Sequence, residues 1–237
     1  MPVIDYREER LEGAYLPPGT DALEPYHALR RDDPISGWSV RITGKRPRDQ
    51  ATQPRGVPDL TEISGRTQET CPFCGDGAER LTPRFPPEVV PEGRIRRRDA
   101  VLFPNLAPYG RWSGVTTFNA DHHVPLGAFP FEDWCAAFEN CLDLSRRVGE
   151  REPEARWVAI TQNVLPPSGG ALFHPHLQVN IDTRPMGYHR ALNEAIHGHA
   201  LGHVLLDRMA EDAHKTGRHV GDSGAWTWFT PFAPIAP

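Results

Sequence analysis

The sequence predicts an α+β fold in which an antiparallel sheet carries helices packed on one side. Three observations predict it. Short apolar or alternating runs recur at 38–42, 100–105, 114–118, 157–161 and 172–181, the lengths expected of strands. Two longer stretches, near 131–148 and 188–213, repeat apolar residues at the 3–4 spacing of a helix face. Proline and glycine are abundant, 25 and 21 of 237 residues, so many turns separate the elements. Strands in turn-linked runs favour antiparallel pairing over a regular strand–helix–strand alternation.

In chain order, residues 1–33 read as an N-terminal arm, charged and broken by Pro17-Pro18-Gly19. Residues 34–185 read as a catalytic half-domain. It opens with the half-buried strand Trp38-Ser39-Val40-Arg41-Ile42 and continues through a polar, turn-rich stretch, 47–70, into Cys71-Pro72-Phe73-Cys74-Gly75. Two strands around a loop follow at 100–105 and 114–118. In the helix at 131–148, Trp134, Ala137, Phe138, Cys141 and Leu142 share one face. The strands at 157–161 and 172–181 then flank Gly169-Gly170. Residues 186–237 read as a helix, burying Ala191, Ile196, Leu201, Val204, Leu205 and Met209, followed by the first strand of a possible truncated second half. The segment 225–234 loosely echoes 100–108, which is the basis for that second half. A dimer partner would cover its terminal strand.

Charge and composition exclude some classes of function. Lys and Arg number 26 against 31 Asp and Glu, a net charge of −5. Sequence-independent nucleic-acid binding needs a basic face, which this balance disfavours. With 38 % hydrophobic residues, the chain has material for a core. The N-terminus lacks an apolar signal core, and no run approaches the roughly 18 apolar residues of a membrane span. A soluble, cytoplasmic protein is expected, and in that setting paired cysteines point to metal or redox chemistry. Cys135 and Cys141, on the helical stretch, read as core fillers.

The segment His174-Pro175-His176-Leu177-Gln178 is the strongest chemical signal. On a strand, alternate residues share a face at steps of roughly 7 Å, so two imidazoles and an amide stand in one row. Imidazole attacks phosphorus well and holds a phosphoryl group as a labile N–P bond. A nearby amide donates to a phosphate oxygen without adding charge. The loop Asn163 to Gly170, with Ser168, Gly169 and Gly170, precedes that row and suits a phosphate cradle built from backbone N–H groups. Cys71 and Cys74 have metal-ligand spacing. No second cysteine pair matches them, so two further ligands must be histidines, with Asp121-His122-His123 and His174 as sources. A redox pair would need a strand before the motif and a helix after it, whereas polar coil precedes Cys71. His199 and His203 are spaced i, i+4 without a glutamate between them and, with His197, read as a solvated helix face.

These residues together resemble a known family. Cys71-x-x-Cys74, Phe103-Pro104-Asn105, Asp121-His122, Asn163 and His174-Pro175-His176-x-Gln178 are similar to the galactose-1-phosphate uridylyltransferases of the histidine-triad superfamily. Arg31 to Trp38 and Lys45-Arg46-Pro47 resemble that family's N-terminal signature. The resemblance implies a half-barrel antiparallel sheet and a ping-pong nucleotidyl transfer from a nucleotide sugar to a sugar 1-phosphate or similar acceptor. It assigns His176 as the nucleophile and Gln178 as the group holding phosphoryl oxygens. Arg46, Asn105 and Asn163 would meet the nucleotide, and Cys71, Cys74, His122 and His174 would hold a structural zinc. Gln178 in place of a third histidine favours transferases over hydrolases. Two other outcomes fit the same residues: a phosphorylase splitting ADP-sugars or dinucleoside polyphosphates with inorganic phosphate, and a zinc-stabilised nucleotide-binding protein without turnover. Leu106 and Leu177 depart from the family pattern, as does 170–173, which lacks a hydroxyl donor. Much of the second half, which in that family supplies hexose-recognition residues, is missing from the pattern. Galactose specificity therefore does not carry over, although UDP-sugars and carbohydrate metabolism remain the expected setting.

Overall fold

The computed structural model of the protein describes residues 4–15, 22–43, 60–108, 110–164 and 172–234. The chain divides into two compact units, Met1–Pro54 with Met186–Pro237, and Arg55–Pro185. Among the described residues no helix is long and apolar enough to cross a membrane.

The first unit begins with strands β1 (Arg7–Tyr15), β2 (Glu24–Asp32) and β3 (Ser39–Thr43), paired antiparallel in that order. Within the stretch expected as an N-terminal arm, residues 7–15 and 24–32 are nine-residue strands. Their sequences carry charge where alternation would place apolar residues. The pairing instead sets opposite charges across the ladder, as in Arg31–Glu8 at 2.7 Å and Arg30–Glu9 at 3.8 Å. Cross-strand pairs of this kind each add a few tenths of a kcal/mol. The strand at 39–43 hydrogen-bonds to β2, within the first unit.

The second unit carries the sheet that positions the site. Helices α1 (Leu60–Gln68) and α2 (Gly77–Arg80) flank the cysteine loop. Strands β4 (Ile95–Arg97), β5 (Ala100–Pro104), β6 (Trp112–Thr117), β7 (Trp157–Thr161) and β8 (His176–Asp182) form one sheet in the order β4-β5-β6-β8-β7. Every neighbouring pair is antiparallel, as the α+β reading requires. Helix α3 (Phe131–Arg151) covers one face. Its Ala137, Cys141, Leu144 and Val148 pack with Leu102, Leu177, Val179 and Ile181 in the main core. The 4-3-4 spacing of those helical residues is one apolar stripe. Cys141 is fully buried there, and burial pushes its thiol up to about 12, as suits a core filler; Cys135 is only half-buried.

Alternation along β8 decides what faces where. Leu177, Val179 and Ile181 are buried toward α3, so His176, Gln178 and Asn180 point to the opposite face. The strand starts at His176 and not at 172. Pro175 has no N–H to donate, and the ladder with β6 begins at Thr117↔His176. His174 therefore lies just before the strand and is free to turn aside from its row.

The first unit closes with α4 (Gly187–Gly198), a 3-10 turn at Gly202–Val204, α5 (Leu205–Lys215) and the hairpin β9 (His219–Ser223) and β10 (Trp226–Phe229). The single helix expected over 188–213 is thus two. His199 is extended (φ −71, ψ 144) and Gly202 takes φ +53, a left-handed value that glycine adopts freely. His199 and His203 consequently do not share a helix face. Ala191, expected in the core, is exposed, whereas Leu205 and Met209 form a core with Ile4, joined by Tyr6, Ile35 and Phe229. The N-terminal residues 4–6 and the C-terminal helices therefore share one core.

Candidate metal centre and active site

Four side chains from three separate segments converge beside β8. Cys71, Cys74, His122 and His174 place their ligand atoms within 4.8 Å of one another. His122 Nδ1 is 3.2 Å and His174 Nδ1 3.4 Å from Cys74 Sγ, and His174 Nδ1 is 3.8 Å from Cys71 Sγ. A tetrahedral zinc with Zn–S about 2.3 Å and Zn–N about 2.0 Å separates sulfur from nitrogen by roughly 3.6 Å. The donor set and its spacing fit a divalent ion such as zinc.

The local folding explains the convergence. Gly75 takes φ +56 just after Cys74, and Gly77 N–H donates to Cys74 O at 2.9 Å, closing a tight knuckle. Gly77 approaches Pro72 so closely that a Cβ would lie 2.7 Å from its carbonyl oxygen. His122 is delivered by the loop after β6, and His174 by the residues before β8. His122, and not His123, joins the cluster; His123 tilts against Phe173, with ring centroids 5.1 Å apart.

Both histidines have their second nitrogen satisfied by protein. His174 Nε2 lies 3.1 Å from the carbonyl oxygen of Asn119, and His122 Nε2 lies 2.9 Å from Thr67 Oγ1. With Nε2–H donating, each Nδ1 keeps its lone pair toward the cluster, the outer-shell arrangement that metal-bound histidines use. Burial lowers the pKa of His174 to about 4 and lowers that of His122, keeping both neutral. Burial pushes the Cys74 thiol up to about 11, with the hydrogen bond to Cys71 adding to it. A bound cation would reverse that penalty and favour the thiolate.

His176 stands next to this cluster and is 6 % exposed. Its Nδ1 is 2.8 Å from the carbonyl oxygen of His174. An N–H at Nδ1 donates there, which leaves the Nε2 lone pair available. Burial lowers the pKa of His176, so the imidazole is neutral near neutral pH. Phe73, between the two cysteines, sets its ring edge against both His174 and His176, each at 5.8 Å.

A cavity of about 290 Å³ opens beside His176, lined by His123, Phe129, Asn163, Leu172 and Phe173 among others. Of the expected nucleotide contacts, Asn163 shares this cavity with His176. Gln178 is half-buried on the same sheet face as His176, two residues along β8. Asn105 follows β5 and hydrogen-bonds through its N–H to Ser113 O at 2.9 Å, level with Asn180 and four residues along β8 from His176. Strand parity puts it on the same face. Its Oδ1 accepts from the Ala107 N–H at 3.0 Å. Arg46, Ser168, Gly169 and Gly170 lie outside the described residues.

Several functional neighbours carried no signal in the sequence. Thr67, Asn119 and Phe73 act through contacts between segments far apart in the chain, and no local spacing marks them. Leu60 and Phe129 line the cavity but read simply as apolar residues. A Ser113 Oγ–H donating to Asn180 Oδ1 at 2.7 Å extends the polar face beyond Gln178, and the i, i+2, i+4 parity of β8 could have found it.

No family model matches the chain. A protein of Archaeoglobus fulgidus, described only as uncharacterized, is 32 % identical over 208 residues, covering 86 % of this chain and 59 % of its own length. The chain thus spans about three fifths of that relative. Among solved structures, an ADP-glucose phosphorylase from Arabidopsis thaliana with bound ADP-glucose aligns over 80 % of this chain and 58 % of its own, at 12 % identity and a TM-score of 0.49.

Proposed function

We propose that the protein is a nucleotidyltransferase of the histidine-triad type that works through a covalent nucleotidyl-histidine on His176. The observation that carries this reading is the 2.8 Å contact from His176 Nδ1 to the carbonyl oxygen of His174. It sets the tautomer with Nδ1 protonated and Nε2 free, as a nitrogen nucleophile requires. In the first half-reaction Nε2 attacks the α-phosphorus of a nucleotide sugar. The N–P bond forms as the bond from phosphorus to the bridging oxygen breaks, and sugar 1-phosphate leaves. In the second, a phosphate oxygen of the acceptor attacks the same phosphorus and His176 leaves with its lone pair restored.

The surrounding residues support the steps by position. The Nδ1–H bond steadies the imidazolium-like charge that develops on His176 as the N–P bond forms. Gln178, on the same face, offers amide hydrogens to the non-bridging oxygens. Asn163 lines the cavity that receives the arm of the substrate nearest His176, and Asn105 reaches the far end of the face. A zinc held by Cys71, Cys74, His122 and His174 would tie the cysteine loop, the loop after β6 and the entry to β8 together. Its contribution would be structural, since with all four positions filled by protein it would have no open site.

Incubation with UDP-glucose and ADP-glucose labelled at the α-phosphate tests the reading. The expected result is acid-labile, alkali-stable label on the protein, absent in His176→Ala. Discharge by sugar 1-phosphate marks a transferase, and discharge by inorganic phosphate alone marks a phosphorylase. Absence of label from every nucleotide offered would leave a binding protein without turnover.

A further inference from the structure

We infer that Asp133 is a positioning residue for the metal centre, acting through Asn119, whose main chain and side chain together set both histidine ligands. This inference rests on the metal cluster alone and is independent of nucleotidyl transfer.

Asn119 uses three groups at once. Its carbonyl oxygen accepts from His174 Nε2 at 3.1 Å, which leaves His174 Nδ1 to the metal. Its Oδ1 accepts from the Asp121 N–H at 2.9 Å, bending the chain in the step before His122. Its Nδ2 donates to Asp133 Oδ2 at 2.7 Å. The first two contacts reach the two histidine ligands, one directly and one through the turn. The third decides which way the amide points. A carboxylate only accepts, so a flipped Asn119 would press Oδ1 against Asp133 and release the Asp121 turn. Asp133 is 8 % exposed and is the third residue of α3. The helix is held in turn by the main core through Ala137, Cys141, Leu144 and Val148. Through this bond the packed helix sets the direction of the Asn119 amide, and with it the Asp121 turn.

Arg98 is the charged group facing Asp133 from outside the helix, with Nε 3.9 Å from Asp133 Oδ1 and its own side chain 62 % exposed. At that distance and exposure the pair is worth little, so the bond to Asn119 is the strong contact of this carboxylate. An acidic residue in a first helical turn also favours the helix by itself. Glu132 shares that turn and serves as the comparison, since no bond joins it to Asn119.

Zinc affinity, measured on the full chain by competition with a chromophoric chelator, tests the inference, with cobalt absorption as a second readout of ligand geometry. Asp133→Leu, which leaves no acceptor for Asn119 Nδ2, is expected to weaken zinc binding by about ten- to hundredfold, the range for outer-shell partners, and to alter the cobalt bands. Glu132→Gln is expected to leave both unchanged. The pair Asn119→Asp with Asp133→Asn rebuilds the bond with donor and acceptor exchanged. One carboxylate oxygen at position 119 then accepts from the amide introduced at position 133, and the other keeps the Asp121 N–H. That double variant is expected to recover most of the lost affinity, and it keeps the inference testable if either single variant fails to fold. Wild-type zinc affinity in Asp133→Leu, an equal loss in Glu132→Gln, or a double variant no tighter than Asp133→Leu would each overturn it.

Discussion

The main-chain oxygen of His174 lies 2.8 Å from Nδ1 of His176, so the residue that completes the metal cluster also sets the tautomer of its neighbour. The side chain of His174 turns one way, to Cys71 and Cys74, while its carbonyl turns the other, to His176. Anything that moves His174 therefore disturbs both centres. Metal removal is expected to slow nucleotidylation of His176 even though a zinc with four protein ligands touches no substrate.

The proton state of His176 makes a specific pH profile. An exposed imidazole is half protonated near pH 6.5, and the protonated form has no lone pair to attack phosphorus. Burial lowers the pKa of His176, so the neutral, attacking form persists to lower pH. Single-turnover labelling is expected to fall toward acid with its midpoint below about 6.5. A midpoint at or above about 6.5 would contradict the environment described for this residue.

Gly77 is a second test of the metal centre, by steric means. A Cβ there would stand 2.7 Å from the Pro72 carbonyl oxygen and 3.0 Å from its carbon. Both are backbone atoms, so the Cys71–Cys74 loop must shift to relieve the contact. Gly77→Ala is expected to cost about 1–3 kcal/mol, the usual penalty for overpacking. The loss should be greater in the zinc-loaded protein than in chelator-treated protein, as compared by denaturant unfolding. An equal loss in both would separate Gly77 from the metal loop.

Most of the central sheet was legible because β5, β6 and β7 and the helix α3 announce themselves by local period. The four residues of the candidate metal cluster were named by the family resemblance, whereas residue type and spacing alone left His122 and His123 open. Only the fold separates them, by turning His122 inward against Thr67 and leaving His123 to the cavity. The strands β1 and β2 escaped the sequence reading for a physical reason. Their ladder sets charged residues opposite one another, such as Arg31 with Glu8, so period-2 apolar alternation does not mark them. The break between α4 and α5 was hidden because apolar residues continue at helical spacing through Gly198 to Gly202. The residues behind the candidate metal cluster, Thr67, Asn119 and Asp133, are set by contacts between distant segments, which no local pattern encodes.

Leu144 tests the core that supports the site. It is fully buried on α3 against the sheet, and its Cδ2 would be 3.3 Å from a Cβ at Gly114, so the packing there is close. Leu144→Ala is expected to lower stability by about 2–5 kcal/mol, read as a lower urea midpoint of the transition that unfolds this unit. Zinc content of the folded fraction should not change, since no ligand sits on that face of the sheet.

In the proposed reaction Gln178 would decide how the phosphoryl group is held and what discharges it. It follows His176 by two residues on the same face of β8, with Thr161 and Val115 as its ladder partners on either side. Its amide donates to oxygen without charge and without a titratable proton near neutral pH. Under the proposed chemistry, Gln178→Ala removes a donor to the phosphoryl oxygens. Labelling of His176 is then expected to slow by about 10²- to 10³-fold, the effect of losing one such donor elsewhere, with zinc content unchanged. Gln178→His keeps a donor but adds an imidazole able to take a proton from water. The label on that variant should form and then be lost to water faster than on the wild type, while discharge by the phosphate acceptor gains nothing. If Gln178→Ala instead labels at the wild-type rate, the amide has no contact with the reacting phosphate, and the preference for a phosphate acceptor over water must be set by other residues of the cavity.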